Sequence, residues 1–424
     1  MQRPAPSAAQ LIPDQPCIDC LDEALPTGRE PSTGPRSTAA RQVAFWLLAV
    51  VLTTVMLGTT LPTPLYVIWQ AQWHFPAVLV TVIFAVYAVA VLAALLFAGR
   101  SSDQAGRKLV LAVALGCGAL STIVFILAPD VGVLFVGRIL SGLSAGLTTG
   151  TATAALTELA PASAGRRASL VATAANMFGL GLGPLIAGLF AQFAPDPTVL
   201  VFEVYLAVLA AAGLCLFFVP ETVSPRRRPE LRFAGLGIPE RGRGGFIAAA
   251  AAGFAAFSLI GLLTALAPTF LGSVLHESSH AVAGAVVFAL LGVGAITQVA
   301  VSRFPSRPVM IAGLSLFLVG LALITAALSQ ASMALFLTGT IVTGVAVGAV
   351  FLGSLATANR LAPPGQRGQV VSTYFVACYC GLIVPVVGVG VLSEFVSDFT
   401  AVLTLAIVLA VLSVFALAGI RRAL

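Results

Sequence analysis

The chain has 424 residues, of which 59% are hydrophobic and only 9% are charged, and its mean hydropathy is +1.04. About a quarter of the residues of an ordinary soluble domain are charged, so this composition excludes a water-soluble globular protein. The net charge of +6 comes from basic residues spread over many short polar segments. This distribution excludes a nucleic-acid-binding face and favours contact with a lipid surface.

Residues 1–43 are rich in proline, serine and charge and contain no apolar run, so we expect a disordered cytoplasmic tail. Twelve apolar segments follow, each close to the ~20 residues that cross a bilayer as a helix. Lipid offers the backbone no hydrogen-bond partner, so all twelve are predicted to be helices. We place these spans at 44–68, 77–98, 109–128, 131–157, 168–192, 198–219, 246–274, 281–302, 308–328, 332–356, 369–392 and 399–420.

Every lysine and arginine except Arg138 falls on one side of this twelve-span arrangement. Such a bias predicts a multi-pass protein of the cell (inner or plasma) membrane, with the N and C termini in the cytoplasm. The longest loop, 220–245, is arginine-rich and contains proline and glycine. It is the predicted cytoplasmic linker between an N-terminal six-helix bundle at 44–219 and a C-terminal bundle at 246–420, which a short cytoplasmic tail at 421–424 follows.

The two predicted bundles repeat each other in sequence. Leu159-Ala160-Pro161 recurs as Leu361-Ala362-Pro363, and three glycines of span 4 recur in span 10 at the same offset. The matching glycines are Gly137, Gly142 and Gly146 in the first half and Gly339, Gly344 and Gly348 in the second. The repeat predicts an all-α membrane protein with twelve transmembrane helices in two pseudo-symmetric six-helix bundles. A substrate site is expected between the bundles, near the middle of the membrane.

The loop after span 2 reads GRSSDQAGRK and is predicted to act as a conformational gate. Its two glycines allow a tight turn between adjacent helices. Asp103 lies near Arg107 and near the positive end of the following helix, so it can hold the loop across the interface of the two halves. Glu158, at the inner end of span 4, is a further expected partner of Arg107. The predicted gate consists of Gly99, Asp103, Gly106, Arg107, Lys108 and Glu158. The alternative is a solvated turn whose basic residues only set the topology.

This loop resembles the signature of the major facilitator superfamily. The family pattern is Gly, three residues, Asp, a basic residue, any residue, Gly, Arg and a basic residue; here Gln104 stands at the first basic position. The resemblance covers roughly residues 44–420 and is closest to the twelve-span drug:proton antiporters. It implies that one bundle rocks against the other around a central, mostly apolar site, and that the gate favours the outward-open state.

Span 4 carries an arginine followed by glycines at four-residue intervals, Arg138, Gly142, Gly146 and Gly150. The spacing places the small residues on one helix face and allows close backbone contact. A charge inside the membrane costs roughly 3 kcal/mol on insertion scales, so Arg138 is a candidate functional residue. The family resemblance implies a role in proton transfer. The alternative is a side chain that snorkels to the outer interface.

Span 5 carries Gly179, Gly183 and Pro184, followed by Ala187 and Gly188. Proline bends the helix, and the glycines provide a flat packing face. The segment resembles the antiporter motif of the superfamily, with Ala187 in place of one glycine, and the resemblance implies export. The alternative is a kinked helix that serves only in packing.

Proton exchange requires a titratable group, and the sequence offers few inside the spans. Glu203, in span 6 near the outer face, is the predicted proton carrier beside Arg138, because partial burial favours the protonated form of a carboxyl group. The alternative is a hydrated carboxylate at the outer rim. Span 1 and span 7 contain no Asp or Glu, which argues against proton coupling. Aromatic contacts to substrate are predicted for Tyr87, Phe178, Tyr374 and Tyr379.

The predicted function is therefore export of a small, mainly hydrophobic compound in exchange for protons. The expected partners are this substrate, protons and the lipid bilayer; a monomer is expected, without nucleic acid, cofactor or metal. An uncoupled transporter, an importer of a small metabolite and a non-transporting receptor remain alternatives. A remote one is a zinc-dependent membrane protease, since residues 276–280 read HESSH. That HExxH pattern lies in a short loop without an evident third ligand.

Overall fold

The computed structural model describes residues 35–98, 101–161, 164–223, 233, 235–273, 277 and 279–423. Residues from Arg41 onward form one compact unit, to which the following description applies. All regular structure in the described residues is helical. The helices are α1 (Pro35–Thr60), a 3₁₀ turn (Thr63–Leu65), α2 (Tyr66–Trp73), α3 (Ala77–Ala98), α4 (Ser101–Ala105), α5 (Arg107–Ile126), α6 (Val131–Leu159), α7 (Gly165–Phe193), α8 (Pro197–Phe217), α9 (Arg243–Ser273), α10 (His280–Val301), α11 (Ser306–Ser329), α12 (Met333–Leu361), α13 (Arg367–Leu392) and α14 (Asp398–Ala423).

In the part of the chain that the structure describes, twelve stretches of helix are long and apolar enough to cross a membrane, which confirms the predicted number of spans. The first combines α1, the 3₁₀ turn and α2, while the short α4 lies between the second and third spans. The first span extends to Trp73, beyond its predicted end at residue 68. Pro62 and Pro64 interrupt it, because each lacks the backbone N–H that a continuing helix requires.

The sequence repeat reappears in the helix packing. A Cβ atom at Gly142 of α6 would lie 2.5 Å from the carbonyl oxygen of Tyr87 in α3. At the matching Gly344 of α12, a Cβ would lie 2.7 Å from the carbonyl oxygen of Leu290 in α10. The fourth span of each half therefore packs on the second span of that half, with backbone approaching backbone.

The fifth span of each half packs on the first span of the same half. Gly179 of α7 packs against the backbone of Thr53 in α1, and Gly381 of α13 packs against the backbone of Phe254 in α9. These matched pairs show the two pseudo-symmetric six-helix bundles that the sequence predicts. The residue boundaries assigned to the bundles, the linker and the tails stay a prediction.

Hydrogen bonds between helix ends define a basic end of the molecule. Lys108 Nζ donates to the carbonyl oxygen of Phe217 at 2.6 Å, and Arg307 donates to the carbonyl oxygen of Arg421 at 3.1 Å. The opposite end, named the far end, carries the connections at 74–76, 127–130, 194–196, 330–332 and 393–397, and residues 277 and 279 before α10. These described residues include no lysine or arginine.

Candidate functional site

Arg107, at the start of α5, is the centre of an ion-pair cluster at the basic end. Its guanidinium lies 2.6 Å from Asp103 Oδ1 and 2.8 Å from Glu158 Oε1, and it donates to Ser102 Oγ at 2.5 Å. The Arg107 side chain is 9% exposed, compared with 32% for Glu158 and 58% for Asp103. Water screens the Asp103 pair more strongly, so Glu158 is the more important partner.

The segment after α8 completes this cluster. Glu221 accepts hydrogen bonds from the backbone nitrogens of Arg107 at 2.8 Å and Lys108 at 3.1 Å, while Thr222 Oγ1 donates to Glu158 Oε2 at 2.5 Å. The residue before α5, Gly106, has φ 100° and provides no side-chain cap. Glu221 therefore supplies the acceptor and the negative charge that the start of α5 otherwise lacks.

The structure brings Asp103, Arg107 and Glu158 of the predicted gate together. Their described contacts lie within the first half and do not connect it to the second half. The contacts described for Asp103, Arg107 and Glu158 join α4, α5, α6 and the segment after α8, all of which precede residue 224. Gly99 lies outside the described residues. A contact from this loop to the second half stays a prediction for another conformational state.

Replacing Asp103 with asparagine should reduce transport while leaving expression and thermal unfolding nearly unchanged. An exposed ion pair contributes about 1 kcal/mol at most, so the transport rate should fall by no more than about fivefold. Initial rates in proteoliposomes, normalised to protein amount, measure the effect. Glu240→Gln removes an exposed acid away from the cluster and serves as the control. If the Asp103→Asn variant transports as fast as the parent protein, Asp103 has no role in the gate.

Arg138 is completely buried in α6 and hydrogen-bonds only to neutral groups among the described residues. Its Nε donates to the hydroxyl of Tyr66, and its Nη1 donates to the carbonyl oxygen of Thr59 at 2.5 Å. The guanidinium also lies over the ring of Tyr66, at 5.2 Å, and over that of Tyr87, at 5.4 Å. The alternative prediction, that the Arg138 side chain snorkels to the outer interface, is wrong, because no part of this side chain reaches the surface.

The interruption of the first span provides the acceptor for Arg138. The last carbonyl groups of a helix have no partner in the next turn, and α1 ends at Thr60, directly after Thr59. The Pro62–Pro64 segment then turns the chain so that Thr63 and Tyr66 also face the guanidinium. One carbonyl dipole, two hydroxyls and two aromatic rings thus surround a charge that would otherwise be costly in the membrane.

The glycine and proline residues of α7 pack this helix against two others. A Cβ atom at Gly183 would overlap the carbonyl oxygen of Leu57 in α1, and one at Gly188 would overlap the carbonyl oxygen of His280 in α10. From the other side, a Cβ at Gly284 of α10 would overlap the carbonyl oxygen of Pro184. Near the far end, the backbone of α7 is therefore in direct contact with both halves.

Glu203 does not occupy the partly buried position that the sequence analysis expected. Its side chain is exposed on α8, beside the buried Phe202, and the hydrogen bonds described for Arg138 do not include it. Phe202, on the packed face of α8, points into the helix bundle and stacks on Trp69 and Phe125. The geometry therefore gives no support to Glu203 as a buried proton carrier.

The four predicted aromatic contacts have different surroundings. Tyr374 is completely buried in this structure and shares a hydrogen bond of 2.7 Å with Ser354, so its contact with substrate stays a prediction for another state. Tyr87 is buried beside Arg138. Tyr379 is half-buried, with its ring 5.7 Å from that of Phe257. Phe178 is 42% exposed and packs edge-on against Phe288 of α10.

A cavity of about 790 Å³ lies at the basic end, between α6 and α7 of the first half and α10 to α13 of the second. Arginine side chains line it at Arg166, Arg360 and Arg367, and apolar side chains of α7, α11 and α12 form much of the remaining wall. Its volume lies within the ~300–1,000 Å³ range of small-molecule sites. The sequence analysis did not identify these arginines, because in sequence they look like ordinary topology signals.

Hydroxyl and amide groups continue from this cavity toward the middle of the protein. Thr157 of α6 and Thr173 of α7 line the cavity. Thr153 lies one turn beyond Thr157, and Asn176 donates a hydrogen bond of 3.3 Å to Thr149 in the middle of the two helices. Polar side chains thus follow α6 and α7 of the first half from the cavity toward the middle of these helices.

Part of the HExxH segment is described. Ser279 caps α10 by accepting from the backbone nitrogen of Val282, and the Glu277 carboxylate accepts from the backbone nitrogen of Ser279. His276 lies outside the described residues. Among the described residues no group of three or more His, Cys, Asp or Glu side chains could hold a metal ion.

Solved transporter structures resemble this fold over most of their length. A bacterial homologue of the human lysosomal transporter Spinster, in an inward-facing and unoccupied conformation, matches with TM-score 0.70 and 15% identity, covering 90% of this chain and 97% of the other. The human organic anion transporter MFSD10 (TETRAN) matches with TM-score 0.62 and 17% identity, covering 91% and 99%. A point mutant of the nucleoside transporter NupG matches with TM-score 0.65 and 14% identity, covering 90% and 99%. At these identities the similarity shows the fold alone.

Two family models match the sequence itself. The model of sugar (and other) transporters matches residues 246–421, and the model of the Major Facilitator Superfamily matches residues 48–305, more than half of the chain. Together with twelve candidate spans in two pseudo-symmetric bundles, this match establishes the family. The chain belongs to the major facilitator superfamily of membrane transporters.

Proposed function

We propose that the protein exports a small compound with a substantial apolar surface by alternating access. The observation that carries the proposal is the packing of α7, whose backbone contacts α1 and α10 near the far end while a cavity is present at the basic end. A site accessible from one end and packed at the other is one of the two states that alternating access requires.

The proposed direction of transport rests on the span-5 motif. If the basic end faces the cytoplasm, as the positive-inside rule predicts, the cavity opens to the inside of the cell, and an exporter would take up its substrate in this state. The glycine and proline residues of α7 resemble the pattern that marks exporters in the superfamily, with Ala187 in place of one glycine. The solved relatives are named for different substrates, a nucleoside and organic anions among them, so they do not select one.

Proton exchange is the form of coupling that we propose, with Arg138 in its path. The exposure of Glu203 and the absence of acidic residues from α1, α2 and α9 favour a second candidate, uncoupled transport or import. The two candidates differ in their response to an imposed pH gradient. Proton exchange requires that the gradient drive accumulation of substrate, whereas an uncoupled transporter only equilibrates it.

Accumulation of a broad compound panel in cells that express the protein tests the proposal. Cells that express the Gly183→Leu variant at an equal level are the control. We expect at least one compound to accumulate less in the cells with the parent protein. Equal accumulation of every compound, or increased accumulation, would contradict export. Repeating the assay in proteoliposomes with and without a pH gradient, for the parent and for Glu203→Gln, decides the coupling.

A further inference from the structure

We propose that the transported compound is an amphipathic organic anion, captured at the basic end and released at the far end. This inference names the substrate class of the transporter proposed above and rests on that function. Its basis is the sign of the charges at the two ends and in the interior of the protein. These charges are positive at the cavity and in the interior, and negative at the far end.

The interior of the described structure carries one positive charge. Among the described residues, only Arg138 and Glu203 are charged side chains located more than one helical turn inside a candidate span. Arg138 is fully buried among neutral acceptors, whereas Glu203 is exposed on the surface of α8. A buried charge of this kind attracts anions and repels cations over several ångströms, because the surrounding protein and lipid screen it weakly.

The cavity adds positive charges at the point of entry. Arg166, Arg360 and Arg367 line it, and no aspartate or glutamate is among its described lining residues. Arg367 donates a hydrogen bond of 2.8 Å to Asn359, which also lines the cavity, so this guanidinium is oriented at the wall. Guanidinium groups bind carboxylate, sulfonate and phosphate oxygens with charge-assisted hydrogen bonds.

The remaining wall selects for an apolar body. The cavity lining includes Leu170 of α7, Val309 of α11, and Leu352 and Leu355 of α12. Most of a small ligand's surface in a protein pocket contacts apolar side chains, while a few polar groups fix its orientation. A compound with an anionic head and a hydrocarbon or aromatic body therefore fits both parts of this lining.

The far end has the opposite charge. Its described residues include four acidic side chains and no lysine or arginine; the acidic residues are Asp130, Asp196, Glu277 and Glu394. Clefts lined by one sign of charge raise the local concentration of oppositely charged ligands and repel like-charged ones. An anion would be concentrated at the basic end and repelled after release at the far end. A cation would meet the reverse situation, so the charge pattern favours anion export.

Four probes test the charge and the apolar body separately. Naphthalene-2-sulfonate is the anion, naphthalene-2-sulfonamide the neutral match, a naphthylmethyl-trimethylammonium ion the cation, and methanesulfonate the anion without an aromatic body. Equilibrium binding to the full-length protein in lipid nanodiscs, followed by flux in proteoliposomes, gives two separate readouts. We expect naphthalene-2-sulfonate to bind at least about tenfold more tightly than the other three, with an association rate that falls as salt is added.

Variants locate the preference in the structure. The triple variant Arg166→Gln, Arg360→Gln, Arg367→Gln should slow association of the sulfonate at least about tenfold and remove most of its salt dependence. Arg138→Gln should weaken sulfonate binding relative to sulfonamide binding. Arg422→Gln removes a positive charge at the same end, outside the cavity lining, and is the control for a general effect of net charge.

The outcomes separate this inference from the proposed function. Sulfonate binding no tighter than sulfonamide binding, or a cavity triple variant that behaves like Arg422→Gln, overturns the anion preference. If either of these results is found but the neutral sulfonamide is still transported, the anion preference is wrong and the proposed transport function stands. Preferential sulfonate binding without flux of any probe supports the anion site and contradicts transport.

Discussion

Replacing Gly183 with leucine should abolish transport. A Cβ atom at this position would overlap the carbonyl oxygen of Leu57 and would lie 3.0 Å from the backbone nitrogen of Leu61, so even one added carbon meets backbone that cannot rotate away. Overpacking a tight contact costs about 1–3 kcal/mol, and every ~1.4 kcal/mol is a factor of ten. With four added carbons, we expect the transport rate to fall by roughly a hundredfold or more.

The matched control is Gly213→Leu. Gly213 lies in α8, and no atom outside its own stretch of helix lies within 4 Å of the position that its Cβ would take, so the same substitution meets open space there. Expression, gel-filtration profile and thermal unfolding of both variants are measured beside flux. Gly183→Ala, with a smaller clash, should show an intermediate loss. Full activity of Gly183→Leu would show that close contact between α7 and α1 is not required.

Replacing Glu158 with glutamine should have a larger effect than replacing Asp103 with asparagine. Both changes remove one negative charge beside Arg107, but the guanidinium is 9% exposed and Glu158 is the less exposed acid. Loss of one partner from a buried ion pair costs about 3–5 kcal/mol. Because a third of Glu158 is exposed, screening reduces the expected loss of unfolding free energy to about 1–2 kcal/mol.

Thermal unfolding in detergent and flux in proteoliposomes measure this effect. The loss should be partly reversed in the double variant Arg107→Gln, Glu158→Gln, since no buried charge is then left without its partner. A reversal would identify the charge on Arg107 as the cause of the instability. If the double variant is less stable than either single variant, the pair does not act through charge compensation.

The sequence predicted the fold well because lipid restricts it so strongly. A run of about 20 apolar residues with few charges has essentially one structural solution, a spanning helix. The glycine matches between the halves also proved informative, since Gly142 and Gly344 occupy equivalent contacts in α6 and α12. The interruption at Pro62 was harder to place, because proline is tolerated in spanning helices when other groups satisfy the backbone.

The candidate site was less predictable because its contacts join residues far apart in sequence. Glu221 caps α5 across 114 residues, and no local pattern marks it as a capping residue. Glu203 and Tyr374 were proposed from residue type and depth in a span, but exposure depends on which face of the helix packs. In α8 the packed face carries Phe202 and Tyr205, which leaves Glu203 outside.

The surroundings of Arg138 have a consequence for the search for a proton carrier. The groups that hold its guanidinium are a backbone carbonyl and two hydroxyls, and none of them is a carboxyl group or an imidazole. A proton that crosses in exchange for substrate would therefore be carried by a group outside this set or by the cargo itself, whose own ionisation would then be part of the transport cycle.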